Sequence, residues 1–184
     1  MNKSIEFLTK TIILLVSVVL ALSCASDQTR NANRLGKKGN GIVRKERKLI
    51  EQYRHGGRGY NPFLIAPKWQ VAQLNYLPGL GLDRMSKVEI HRKTDEVFIL
   101  LKGTAVLIAA DKHGHELDFE ARLMKPGITY NIPVDTWHCI AMAEDAQVII
   151  VEDANTHLGD VDYYAFSDEQ KSIVNSLVAE AIKE

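Results

Sequence analysis

The stretch Val88-Glu89-Ile90-His91-Arg92-Lys93-Thr94-Asp95-Glu96-Val97-Phe98-Ile99-Leu100-Leu101-Lys102-Gly103 decides how this chain reads. In an extended strand alternate side chains share a face, so Glu89 and His91 point the same way. Lys93-Thr94-Asp95 makes a turn, and Glu96 opens the next apolar run. An antiparallel return brings Glu96 beside His91. Lys102-Gly103 then forms a tight turn. Much later, Thr136-Trp137-His138 opens another strand directly after the turn Pro133-Val134-Asp135. Imidazole nitrogen together with carboxylate oxygen suits a divalent transition metal such as Fe, Mn, Zn or Ni.

Outward from this stretch the same cadence continues. Short β-rich runs, separated by turn signals, fall near 63–66, 69–77, 84–91, 96–102, 104–110, 115–123, 128–131, 136–143 and 147–153. Asp111-Lys112-His113-Gly114 reads as a hairpin tip and Pro126-Gly127 as a turn. Many short strands at this spacing predict an all-β sandwich or barrel over 63–166. Phe98, Leu100, Ile140 and Met142 alternate in phase with the candidate ligands and are expected to line the interior, with Trp137 turned to the wall. Ser167 and Gln170 form a capping box ahead of Ile173, Val174, Leu177, Val178, Ala181 and Ile182, so 167–184 is expected to be a helix packed outside the barrel. Residues 42–62 read as a short amphipathic helix (Ile42 to Tyr53) and a linker broken by His55-Gly56-Gly57-Arg58-Gly59.

Glu89-x-His91-x4-Glu96-x6-Gly103 resembles the first motif of the cupin family, and Pro133-x-Asp135-x2-His138 resembles the second. The resemblance covers roughly 63–153. It implies a double-stranded β-helix barrel with a metal inside, held by His91, Glu96 and His138. Three positions depart from the pattern. Glu89 stands where the family has a histidine, and could be a fourth ligand, a catalytic base or the mark of an open coordination position. Asp135 replaces a glycine, and Met142 replaces an asparagine.

The remaining histidines carry less weight. His113 and His115 fall at the expected hairpin tip, His157 after the last strand in a surface loop or over the barrel mouth, and His55 in the Gly-rich linker. Cys139, within an apolar run, reads as a small buried hydrophobe.

The amino-terminal segment stands apart from the fold. Lys3 and Lys10 precede an apolar run from Thr11 to Leu22, followed by Ser23-Cys24. This is the make-up of a secretory signal, and the run is short for a membrane span, which needs roughly 20 residues. Leu20-Ala21-Leu22-Ser23-Cys24 resembles a bacterial lipobox, with Ala21 and Leu22 exchanged relative to the usual order. That resemblance implies a signal over 1–23 and a lipid on Cys24, which would anchor the protein to a membrane outside the cytoplasm. Residues 24–41 are polar and rich in Gly and Asn, as a flexible tether requires.

Composition sets the remaining limits. The chain has 184 residues, 46% of them apolar, enough for one domain with a real core. Its 23 basic and 23 acidic residues balance, which gives nucleic acid no electrostatic footprint. Three functions remain open at this level. One is a metal-dependent isomerase, lyase or dioxygenase acting on a sugar or small carboxylate, with Glu89 as base. Another is a non-catalytic module that binds a small ligand. The third is a structural barrel that forms a homodimer through an edge strand.

Overall fold

The computed structural model describes residues 49–183 other than residue 115. Cys24, the signal-like segment, the tether and residues 42–48 lie outside that range. Of the expected amino-terminal helix only 49–53 is described, and those residues are not helical.

Ten strands form two antiparallel five-stranded sheets. They are β1 (Gly59–Ile65), β2 (Trp69–Asn75), β3 (Lys87–Ile90), β4 (Glu96–Lys102), β5 (Ala105–His113), β6 (Glu116–Leu123), β7 (Thr129–Ile132), β8 (Trp137–Met142), β9 (Gln147–Asp153) and β10 (Asp162–Ala165). One sheet runs β1-β2-β9-β4-β7 and the other β10-β3-β8-β5-β6. Without β1 and β10, the orders are β2-β9-β4-β7 and β3-β8-β5-β6. That interleaving of eight strands is the jelly roll, or double-stranded β-helix. Each sheet takes alternate strands of a folded-over ribbon, so residues distant in sequence meet inside the barrel.

Side-chain alternation builds two apolar layers. Leu74, Phe98, Leu100, Leu107, Ile140, Met142, Val148 and Ile150 fill the space between the sheets. Phe98, Leu100, Ile140 and Met142 are thus where their phase with His138 and Glu96 puts them. The opposite phase of the second sheet (Val88, Val106, Ile108, Cys139 and Ala141) packs under a helix with Val174 and Val178. Trp137 packs against this outer layer, as its alternation requires. Burial also pushes the Cys139 thiol well above its usual range, which fits an inert core residue.

The covering helix, Asp168–Ala181, starts at a complete capping box: Ser167 accepts from the Gln170 N–H and the Gln170 side chain accepts from the Ser167 N–H. Its buried stripe is narrower than expected. Val174, Val178 and Ala181 are buried, whereas Ile173 and Ile182 are 43% and 38% exposed. A helix lying on a sheet buries one stripe, and these two residues flank it.

Several boundaries differ from the sequence expectation, each for a local reason. β1 begins at Gly59 and contains Pro62, which reads as a strand breaker. It is tolerated because β1 is an edge strand with a bulge between Asn61 and Leu64. The β5–β6 ladder continues to His113↔Glu116, so Asp111 and Lys112 are paired strand residues. The strand expected over 84–91 is shorter, Lys87–Ile90. β10 has no counterpart in the sequence reading, because three of its four residues are exposed and no buried alternation marks it. A second helix, Thr156–Gly159, is a single turn between β9 and β10. In chain order these two helices are α1 (Thr156–Gly159) and α2 (Asp168–Ala181).

Gly103 makes the expected turn with φ +76°, and a Cβ there would lie 2.6 Å from Ala146 backbone atoms. Both the left-handed backbone and the contact confine this position to glycine. Asp135 is also left-handed, at φ +63°. This accounts for an Asp where the family pattern has Gly: Asp tolerates that conformation and Gly adopts it freely.

Candidate metal centre

Four side chains converge at one mouth of the barrel. Glu89 lies on β3, directly across from His138 on β8. His91 follows the end of β3 in the same phase, and Glu96 opens β4 in the facing sheet. The intervening turn is held by Asp95, whose carboxylate accepts from the Val134 N–H and from Asn131 Nδ2, both at 2.9 Å. These bonds keep the Asp95 carboxyl below its usual range.

Glu96 Oε2 is 2.7 Å from His138 Nε2 and 3.2 Å from His91 Nε2. One ligand atom from each of Glu89, His91, Glu96 and His138 lies within 4.8 Å of every other. Ligand atoms about 2.1 Å from one metal are about 3–3.5 Å apart when adjacent, so this spacing fits a shared ion with small adjustments. The opposite ring nitrogens are engaged too. His138 Nδ1 is 2.9 Å from the Thr136 carbonyl and His91 Nδ1 meets the Asp160 carbonyl. A carbonyl only accepts, so both Nδ1 atoms donate and both Nε2 atoms face the cluster, which is the orientation a metal-ligating imidazole needs.

Three of the four are nearly closed to solvent, His91, Glu96 and His138 at 6%, 4% and 1% exposed, and Glu89 is half-buried. Phe98 sets its edge against the His138 ring at 5.9 Å and forms an apolar floor. Burial alone would raise the Glu96 carboxyl, but hydrogen bonds from His138 and His91 hold it below its usual range. Burial works against charge on His91, yet Glu96 and the Asp160 carbonyl raise it to about 9. His138 is raised by Glu96 in the same way, again against burial. Without metal, both rings are biased toward the imidazolium form and Glu96 toward the carboxylate that pairs with them. Burial and the neighbouring Glu96 raise the Glu89 carboxyl above its usual range, so it holds a proton more readily than a solvated carboxylate. Beside it, Tyr163 is raised to about 12 by burial and by Glu89, with Lys87 Nζ 3.3 Å over its ring.

A second polar group sits in the same interior and has no counterpart in the sequence reading. Gln70 on β2 pairs across the sheet with Glu152 on β9. Gln70 Nε2 donates to Glu152 Oε1 at 2.9 Å and to the Tyr60 hydroxyl at 2.8 Å, while that hydroxyl donates to Glu152 Oε1. Burial and the charge of Glu96 raise Glu152. The signal for it was available: Val148, Ile150 and Glu152 share one phase, and a carboxylate ending an inward apolar series is costly unless it is partnered.

The remaining histidines separate as follows. His157 belongs to this second group rather than to a surface loop, with Nδ1 3.2 Å from Gln70 Nε2. His113 is exposed, 3.4 Å from Asp111 and 3.9 Å from Asp118. The His55 main chain bonds to the side chains of Gln73 and Asn75, away from the cluster. His115 and Cys24 are outside the described residues.

A histidine–carboxylate cluster at the mouth of a double-stranded β-helix defines the class: a small barrel of the cupin type with a candidate metal centre. Among solved structures, the chain is similar to a cupin-2 domain-containing protein from Shewanella frigidimarina at 20% identity and a TM-score of 0.38, over 55% of this chain and 84% of that one. It is similar to a cupin-like protein from Thermotoga maritima at 17% identity and a TM-score of 0.42, over 70% and 97% of the two chains. It is also similar to KdgF from a Halomonas species at 15% identity and a TM-score of 0.38, over 57% and 89%. The fold assignment rests on strand order and not on these alignments. No protein-family model matches the sequence, and no curated protein sequence does.

Proposed function

We propose that this chain binds a divalent transition metal through His91, Glu96 and His138, with Glu89 as fourth ligand or base, and acts on a small molecule such as a sugar or small carboxylate. The observation that carries the proposal is the shared orientation of the two imidazoles: both Nδ1 atoms are committed to main-chain carbonyls, and both Nε2 atoms meet one carboxylate oxygen. A bound metal would supply Lewis acidity or, with iron, oxygen chemistry. Glu89 would hold or release a proton beside it. The same reading puts the barrel outside the cytoplasm on a lipid-bearing Cys24, supported by the lipobox-like Leu20-Ala21-Leu22-Ser23-Cys24.

Element analysis of the purified full chain tests the metal reading. One equivalent of a first-row transition metal is expected, and His138→Ala is expected to lose it. A folded wild-type chain that neither carries nor takes up Fe, Mn, Zn or Ni would overturn it. Fractionation of cells expressing Cys24→Ser tests the anchor: the variant should leave the membrane fraction, and an unchanged distribution sinks the lipid assignment.

One observation favours a non-catalytic reading of the same metal. His91, Glu96 and His138, exposed by only 1–6%, leave a reactant access to the ion only past the half-buried Glu89. If sugars and small carboxylates leave the visible spectrum of the Co2+-loaded protein unchanged, that reading prevails.

A further inference from the structure

His91 and His138 are held by different means. His138 lies inside β8, and its Nδ1 bonds to Thr136, two residues earlier in the same run. His91 lies one residue beyond the end of β3, outside the ladder. Its Nδ1 bonds to a residue far along the chain, the main-chain carbonyl of Asp160.

Asp160 does more than offer that carbonyl. Its Oδ1 accepts from the Arg92 N–H at 3.1 Å and its Oδ2 from the Lys93 N–H at 2.9 Å. These are the two amides that follow His91. One residue therefore grips both the ring of His91 and the backbone leaving it. Asp160 is itself fixed from behind. Its N–H donates to the Thr156 carbonyl at 3.0 Å, and the buried Thr156 hydroxyl donates to the Asp153 carbonyl at 2.7 Å. A second tie in the same segment runs from the Asn155 N–H to Gln70 Oε1 at 2.8 Å. The His91 carbonyl accepts from the Asp135 N–H at 2.9 Å, and the two Asp160 carboxylate bonds add a second restraint just beyond it.

We infer that Asp160 is a positioning residue for the metal centre, a latch from beyond the last core strand that keeps His91 Nε2 aimed at the ion. The inference rests on the metal reading above. If Asp160 were only a loop cap, its loss would lower stability and leave the metal's surroundings unchanged.

The test is Co2+ titration of the full chain against a chromophoric chelator, with the visible spectrum recorded at saturation. Asp160→Ala should weaken Co2+ binding about 10- to 100-fold, the usual effect of removing a group that orients a ligand. Its Co2+ bands should shift as His91 loosens. Asp160→Asn, which keeps one acceptor oxygen, should fall between and recover most of the wild-type spectrum. Asp162→Ala removes a carboxylate 3.7 Å from Arg92 Nε that makes no bond to His91, and serves as the charge control. It should bind within about twofold of wild type, as expected for an exposed pair.

Wild-type affinity and an unchanged spectrum in Asp160→Ala would overturn the latch. An equal loss in Asp162→Ala would also overturn it, by reducing the effect to charge. If Asp160→Ala does not fold, Asp160→Asn with undiminished Co2+ affinity has the same force. A wild-type chain that binds no Co2+ defeats the metal reading itself, which is a distinguishable result.

Discussion

Replacing Glu96 by Gln is expected to abolish stoichiometric metal uptake and to destabilise the metal-free barrel. Glu96 Oε2 is the single atom that both Nε2 atoms meet, so the substitution removes one ligand and the counter-charge of two rings. The loss in metal affinity should exceed the roughly 10- to 100-fold change that follows loss of an outer partner. Leaving buried charge without its partner costs about 3–5 kcal/mol, a large share of a stability of about 5–15 kcal/mol. The sign of the pH dependence is fixed by the rings. Below about pH 6.5, the ordinary histidine value, they stay protonated in the unfolded chain, and the variant bears the full cost. Above the raised His91 value of about 9, the wild-type His91 ring is neutral and its share of the difference is lost. Denaturant melts of chelator-treated wild type and Glu96→Gln at pH 6 and pH 9 measure this. Equal stability at pH 6 would show that the buried set is not ionised.

The second large effect is on metal uptake itself. His91 and His138 are both raised in the metal-free protein, His91 to about 9. A group with a raised folded value stabilises the fold below its unfolded value, and that stabilisation is lost as pH climbs through the folded one. Metal-free stability should therefore decline between about pH 6.5 and 9. A metal needs both Nε2 atoms deprotonated, so binding at pH 7 should expel the His91 proton and whatever proton His138 holds, about one to two per ion. Apparent affinity should rise with pH over this window, steeply at first and levelling as His91 loses its proton. The stabilisation conferred by Zn2+ should accordingly be larger at pH 8.5 than at pH 6.5. Calorimetric titration with Zn2+ in buffers of different ionisation enthalpy counts the protons. A count of zero at pH 7 would mean that the rings are already neutral.

Much of this molecule is legible in the sequence because two periodicities carry it. The alternation through 88–103 and 136–142 places Glu89, His91, Glu96 and His138 in one phase, and the structure brings all four together. The turns at Gly103, at Pro126-Gly127 and at 133–135 are marked by their residues, and the capping box marks α2. What escaped depends on contacts that no period encodes. β10 pairs with β3 through main-chain bonds, and three of its four side chains are exposed. Asp160 meets His91 Nδ1 through a main-chain carbonyl, which every residue possesses, and its carboxylate meets two amides that no local pattern marks. Glu152 and Gln70 lie in register only because β2 and β9 are neighbours, and sheet order is not written in local alternation.

The interleaved strand order also dictates when the site can exist. A chain emerging from its amino terminus lays down Glu89, His91 and Glu96 first, and none of them has its partners yet. His138 arrives only with β8, and the carbonyl that orients His91 comes later still, after β9 has closed the first sheet. Any ion captured early would have two carboxylates and an unfixed imidazole to hold it. The centre is thus a product of the completed barrel rather than a seed for it, and metal should act mainly as a brake on unfolding. A metal bound at this centre would therefore enter only after the barrel has closed.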